Sequence, residues 1–275
     1  VWCPSDPPPN DRAEKQVGRR DPAGLYGALD AAYLSPADGF RELAHTYDQR
    51  MAGNPLFLLE STETLAALPD LTGKTAADLG CGTGRYALQL ARLGAERVVG
   101  VDLVPEMLAA ANRKARRGEL DDVTDWREGD LTAPDGLPLA DGSVDAAVCA
   151  LTLSFLAEVG AAFAEMARVV RPGGVLVVSD YHPHGLCAAR AESLEAAGGK
   201  DRAPYLRFTS VGGEECRVAQ TPHLAGELFA AAAAAGLRLD SLAEPLVDAR
   251  LANTYAGLRG RVGTPLALVM RFTRL

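Results

Sequence analysis

The sequence predicts an α/β fold in which a doubly wound sheet runs mostly parallel. Three observations carry that reading. From Lys74 onward, short apolar runs alternate with segments of helical periodicity. The run 144–150 is apolar on both faces, as a central parallel strand must be. A glycine-rich turn, Gly80 to Gly84, joins the first of these strands to the first of these helices.

The elements follow in order. Residues 1–22 are rich in proline and charge and are expected to form a disordered tail. Residues 23–72 read as an N-terminal helical lid. Leu25, Tyr26, Leu29 and Tyr33, then Phe40, Leu43, Ala44 and Tyr47, recur at helical spacing; Asn54-Pro55 interrupts the pattern and residues 56–68 resume it. The main domain spans 73–275. Its strands are expected at 75–79, 97–101, 123–127, 144–150 and 175–179, with helices at 85–93, 105–116 and 159–170 between them. Pro105 suits a first helical turn, and Arg171-Pro172-Gly173-Gly174 is expected to end the last of these helices. Within an insertion at 181–221, residues 205–209 and 215–218 read as a hairpin joined through Gly212-Gly213. A helix over 223–235 closes on Gly236, and strands at 237–242 and 266–272 bring the sheet to seven.

Composition narrows the function classes. With 48% hydrophobic residues in 275, the chain can bury an ordinary core without disulfide or metal staples. The net charge of −8 argues against a nucleic-acid partner, which would demand a basic surface. Cys3, Cys81, Cys149, Cys187 and Cys216 are scattered and odd in number, which points away from disulfides and zinc and toward a reducing cytoplasm. No apolar run reaches the length of a membrane span, and the first residues lack a signal-peptide core, so no membrane partner is expected. Twenty-four arginines against four lysines fit a GC-rich bacterial genome.

The chemistry concentrates in Asp78-Leu-Gly-Cys-Gly-Thr-Gly84, between a strand and a helix. The glycines let a ligand approach the backbone, and the helix N-terminus offers free N–H groups. Asp102 ends the next strand, where a carboxylate can bond both hydroxyls of a ribose. Gly82-Thr-Gly84-Arg-Tyr-Ala87 also fits the dinucleotide pattern, so two ligand classes compete. Asp78 bears on the choice. A carboxylate beside the loop repels a pyrophosphate but attracts an ammonium and a sulfonium, and S-adenosylmethionine carries both.

Together with VVGVDLVPEML at 98–108, EGDL at 128–131, LPLADGSVDAAVCALTL at 137–153 and VVRPGGVLVVSD at 169–180, this motif resembles the class I, Rossmann-like S-adenosylmethionine-dependent methyltransferases, near the UbiE-like small-molecule group. The resemblance is strong over roughly residues 40–180 and general beyond. It implies that Asp78, Gly80, Cys81 and Gly82 hold the methionine part and Asp102 the ribose. Leu103 and Met107 would pack on adenine, with Asp130 and Leu131 bonding its edge. Cys149 and Ala150 would line the sulfonium end, and Tyr47 would close over the cofactor.

A general base is needed only if the acceptor must lose a proton. His182 and His184 follow the fifth strand at the ligand-binding end of such a sheet and are the catalytic candidates. The leading expectation is methyl transfer to oxygen, nitrogen or carbon of a small molecule. Its competitors are a cofactor-binding protein of the same fold that catalyses nothing, and an NAD-dependent oxidoreductase. The oligomeric state, monomer or homodimer, is left open.

Overall fold

The protein is described by a computed structural model covering residues 32–134, 136–184, 205–210 and 212–275. The expected tail at 1–22, the start of the lid up to 31 and residues 185–204 of the insertion lie outside these residues.

A seven-stranded sheet forms the body. Its strands are β2 (Thr75–Leu79), β3 (Arg97–Asp102), β4 (Thr124–Glu128), β5 (Val144–Ala150), β6 (Val170–Tyr181), β9 (Leu237–Ala243) and β10 (Ala267–Arg274). Their spatial order is β4-β3-β2-β5-β6-β10-β9. The first five run parallel, while β10 lies antiparallel to both β6 and β9. Side chains alternate between two cores. Ala77, Leu79, Val99, Val101 and Cys149 face a core shared with α6 (Val159–Val169) and α7 (Ala225–Ala234). Ala76, Val98, Ala146 and Val148 face a second core shared with α4 (Arg85–Arg92). The period of two in each buried strand sends adjacent residues to opposite layers.

Helix α5 (Pro105–Arg117) starts on Pro105, as its sequence requires. Helix α6 ends at Val169, just ahead of Arg171-Pro-Gly-Gly as expected, and that segment is itself part of β6. Val170 pairs with Val144 and Val175 with Ala146, so residues 171–174 bulge out of the ladder while pairing resumes beyond them. The sequence also gave no sign of α8 (Ala249–Thr254), a short helix capped by Asp248, whose carboxylate accepts the Leu251 N–H.

The lid is less purely helical than its periodicity suggests. Helices α1 (Pro36–Leu43), α2 (Tyr47–Met51) and α3 (Pro55–Ala66) are present, but Tyr33 belongs to a strand, β1 (Ala32–Leu34). This strand pairs parallel with β8 (Glu215–Ala219), which forms the expected hairpin with β7 (Tyr205–Thr209). Pairing with a distant edge overrides local periodicity here. The N-terminal segment and the late insertion therefore form one cap. Helix α3 is pegged to the body by Glu60, which is fully buried. Its carboxylate accepts from Thr64 Oγ1 at 3.0 Å, Tyr86 OH at 2.7 Å, Arg85 Nη1 at 2.8 Å and the Ser179 hydroxyl.

Packing inside the cap is tight at one point. A Cβ on Gly39 of α1 would stand 2.1 Å from Cγ2 of Val218, a buried and stiff side chain of β8. Gly39→Ala is therefore expected to lower stability by about 1–3 kcal/mol, although alanine is the better helix former by about 1 kcal/mol. Adding Val218→Ala should recover much of the loss. Thermal unfolding of the two single variants and the double variant measures this coupling, and additive losses would refute the contact.

Candidate functional site

A cavity opens at the carboxyl ends of β2, β3 and β5, where the chain leaves β2 toward opposite sides of the sheet. Open α/β sheets bind ligands at such switch points. The glycine loop forms its floor. Gly80 has φ +74°, and a Cβ there would come within 2.5 Å of Thr152 Oγ1. Gly84 has φ +79°, and its Cβ would strike the Trp126 ring at 2.7 Å. Both positions thus exclude side chains by conformation and by space. The backbone N–H groups of Gly80 and Cys81 both donate to Val101 O, which ties the loop to β3.

Asp78 sits under this loop and is almost completely buried. Gly84, in the left-handed conformation, supplies no side-chain cap to α4. Asp78 takes over that task from the neighbouring strand, with Oδ2 accepting the Ala87 N–H at 2.8 Å. Among the described residues, no protein donor bonds Oδ1. Burial pushes the carboxyl up to about 7, against the opposing pull of the Ala87 bond and of Arg85.

Asp102 closes β3 beside the loop. Its Oδ2 accepts from Gly82 N at 2.7 Å and its Oδ1 from Val104 N at 2.9 Å. The carboxylate thus braces the glycine loop against the start of α5. Burial raises its pKa, and the backbone donors oppose the rise. Each oxygen keeps a second lone pair for a ligand. Asp130 also stabilises its own turn, because Oδ1 accepts both the N–H and the hydroxyl of Thr132 at 2.7 Å.

Most of the residues singled out in the sequence meet in this cavity. Tyr47, Asp78, Gly80, Cys81 and Gly82 line it, as do Asp102, Leu103, Met107, Asp130, Leu131 and Ala150. Cys149 does not. It points into the core shared with α6, because alternation along β5 puts it on the face opposite Val148, and its thiol is pushed up by burial. Cys81 is likewise buried with a raised pKa, which leaves it protonated and inert.

The two histidines also fall outside the cavity wall. His182 Nε2 lies 2.8 Å from Glu244 Oε1, and its Nδ1 accepts the His184 N–H at 3.2 Å. Both ring nitrogens of His182 are thus engaged by other protein groups. His184 is exposed beside it.

Other residues of the wall had gone unnoticed. Arg85 is the one cation among the described residues that line the cavity. Its guanidinium is held by Glu60 and lies 4.8 Å from the Phe57 ring centroid and 4.3 Å from that of Tyr86. Phe40 and Phe155 meet edge-on at 4.8 Å, and Phe40 and Tyr47 at 6.3 Å, which lines one side with aromatic carbon. Burial pushes Tyr47 up to about 12, so its phenol stays protonated at neutral pH. An arginine one residue past the glycine motif was legible as a signal. The aromatic side, which depends on how the cap folds back, was not.

Comparison with known proteins agrees with this geometry. A family model described as a methyltransferase domain matches residues 77–178. Malonyl-[acyl-carrier protein] O-methyltransferase of Yersinia pestis is 34% identical over 152 residues, covering 55% of this chain and 49% of that protein. Demethylmenaquinone methyltransferase of Thermus thermophilus is 40% identical over 111 residues, covering 40% of this chain and 48% of that protein. The chain thus spans about half the length of these curated relatives. Among solved structures, an S-adenosylmethionine-dependent methyltransferase from Mesorhizobium loti superposes with a TM-score of 0.61 at 22% identity, covering 78% of this chain and 98% of that one. Residues 77–178 are thus similar to a methyltransferase domain, and the strand order and the superposition show the Rossmann-like fold of such enzymes.

Proposed function

We propose that the protein transfers the methyl group of S-adenosylmethionine to a small-molecule acceptor. One observation carries the reading furthest. A buried carboxylate, Asp78, faces the cavity with one oxygen uncommitted and its pKa raised to about 7. A ligand ammonium placed there would restore the charged form, whereas a pyrophosphate would meet a like charge.

The rest of the wall fits the same ligand. Arg85 and the α4 N-terminus suit its carboxylate, Asp102 the ribose, and Leu103, Met107, Asp130 and Leu131 the adenine. When bound, the cofactor supplies a methyl group already activated by a sulfonium. The chain's own contribution is then to position an acceptor and exclude water. Phe40, Tyr47 and Phe155 would wall the acceptor side, and the cap of α1, β1 and the β7–β8 hairpin would roof it. Among the described residues no histidine lines the cavity, and Tyr47 holds its proton. An acceptor that is already nucleophilic at neutral pH suits such a wall best: a carboxylate, thiolate, amine or stabilised carbanion. The acid-rich sequence and the single cation in this cavity's lining among the described residues favour a small molecule over nucleic acid.

Three measurements test the reading. Calorimetry should show S-adenosylhomocysteine binding in the micromolar range and NAD at least about a hundredfold more weakly. Tight NAD binding without S-adenosylhomocysteine binding would overturn the assignment.

Asp78→Asn separates function from stability. The folded pKa of Asp78 lies above its unfolded value, so the contribution of its protonated form is complete below about pH 4 and lost as pH climbs through about 7. Asparagine keeps an acceptor for Ala87 N–H without that loss. The variant should therefore be more stable than wild type at pH 8, by on the order of a few kcal/mol, and close to it at pH 4. Its affinity for S-adenosylhomocysteine should fall at least about tenfold. Melting temperatures at both pH values and calorimetry check this, and unchanged affinity would remove Asp78 from the site.

Asp102→Ala should weaken S-adenosylhomocysteine binding by roughly 2–4 kcal/mol. It should also lower the melting temperature, because Gly82 N and Val104 N lose their acceptor. Reduced stability with full cofactor affinity would make Asp102 a brace only.

A further inference from the structure

A second cleft lies against the cofactor cavity and shares two of its walls, Tyr47 and Arg85. It runs between the lid helices α2 and α3 and the C-terminal turns of α4 and α5, with a volume of about 900 Å³. That is within the roughly 300–1,000 Å³ of small-ligand sites. Its charge is opposite to that of the protein. The chain carries a net −8, yet four cations, Arg85, Arg92, Lys114 and Arg117, line this cleft against one carboxylate, Asp48.

Two of these cations are already engaged. Arg85 pairs with Glu60, and Lys114 holds Asp48 at 2.9 Å and Thr83 at 3.0 Å. Arg92 and Arg117 pair with no carboxylate among the described residues. Arg92 reaches the end of α5: its Nη2 lies 3.5 Å from where a Cβ on Gly118 would stand, which puts it beside the residue that follows Arg117. The same cleft is also lined by the apolar side chains Phe57, Leu58 and Leu88 and by Tyr255. The cleft thus offers both cations and aromatic or aliphatic surface, a pairing suited to an amphipathic anion.

We infer that this cleft is a second binding site, for a small organic anion whose phosphate or carboxylate meets Arg92 and Arg117 and whose apolar part rests on Phe57 and Tyr255. Guanidinium groups bind both anions through paired, charge-assisted hydrogen bonds. The competing explanation is that Arg92 and Arg117 only complement the negative ends of two helices. It requires stability, but no ligand, to depend on them.

The test uses 1-naphthyl phosphate as probe, with 1-naphthol and inorganic phosphate as controls, on the full chain by calorimetry. Wild type should bind 1-naphthyl phosphate at least about tenfold more tightly than either control. The Arg92→Gln/Arg117→Gln variant should lose that binding by about tenfold or more while keeping its affinity for S-adenosylhomocysteine measured without the probe. Retained S-adenosylhomocysteine binding also shows that the variant is folded. Should it fail to fold, the single variant Arg117→Gln should show a weaker loss of the same kind. The inference is overturned if the probe does not bind at millimolar concentration, if the variants bind it as well as wild type, or if inorganic phosphate binds as tightly as the probe. Failure of S-adenosylhomocysteine to bind wild type would instead contradict the proposed activity and leave this result standing on its own.

Discussion

The site depends on a carboxylate drawn almost wholly out of water. Asp78 is held under the glycine loop by the strand that carries it and by the N–H of Ala87. Burying a carboxylate without a cation is unfavourable, and its raised pKa expresses that. The loop, α4 and the lid all pack around this one group. Its unfavourable state in the free protein is what a cationic ligand would relieve, so binding selectivity is built into the fold's own strain. Stability given up at the site is offset elsewhere by two well-packed cores on either face of the sheet.

The surroundings hold that arrangement in place. Asp102 ties the glycine loop to α5 through two backbone N–H groups. Asp48 of α2 meets Thr83 of the loop at 2.7 Å, and Lys114 bridges both. Glu60 of α3 joins three parts of the chain, from α3 itself to Tyr86 of α4 and Ser179 of β6. Helices α2 and α3 are therefore each tied to the body by polar bonds. Arg50 of α2 separately ties that helix to the β7–β8 hairpin by donating to the carbonyl of Thr209.

The parallel core was legible because its strands are buried on both faces and bounded by glycine and proline. Residues 75–79 and 144–150 were read with the bounds the structure gives. The cap was harder. β1 is a strand only because β8 lies beside it, more than 180 residues later, and no local pattern encodes that pairing. The cavity residues Asp78 and Asp102 were legible from motif spacing, since a glycine turn between strand and helix fixes what must surround it, and Met107 from the family resemblance. Cys149 was misplaced by one residue of alternation. His182 lies off the cavity lining and meets Glu244, which follows β9, a contact that position after a strand does not reveal. Glu60 and the aromatic pair Phe40–Phe155 were invisible for the same reason, as their roles exist only once the lid closes onto the sheet.

The central claim is that Asp78 is a strained carboxylate waiting for a cation, and its ionisation can be observed directly. Carboxyl-selective ¹³C NMR of the protein, titrated over pH without ligand and with saturating S-adenosylhomocysteine, reports the pKa of that one group in both states. In the free protein Asp78 should titrate near 7, and the bound ammonium should pull it back toward the ordinary carboxylate range. A pKa that stays raised in the complex, or that is already low in the free protein, would contradict the account.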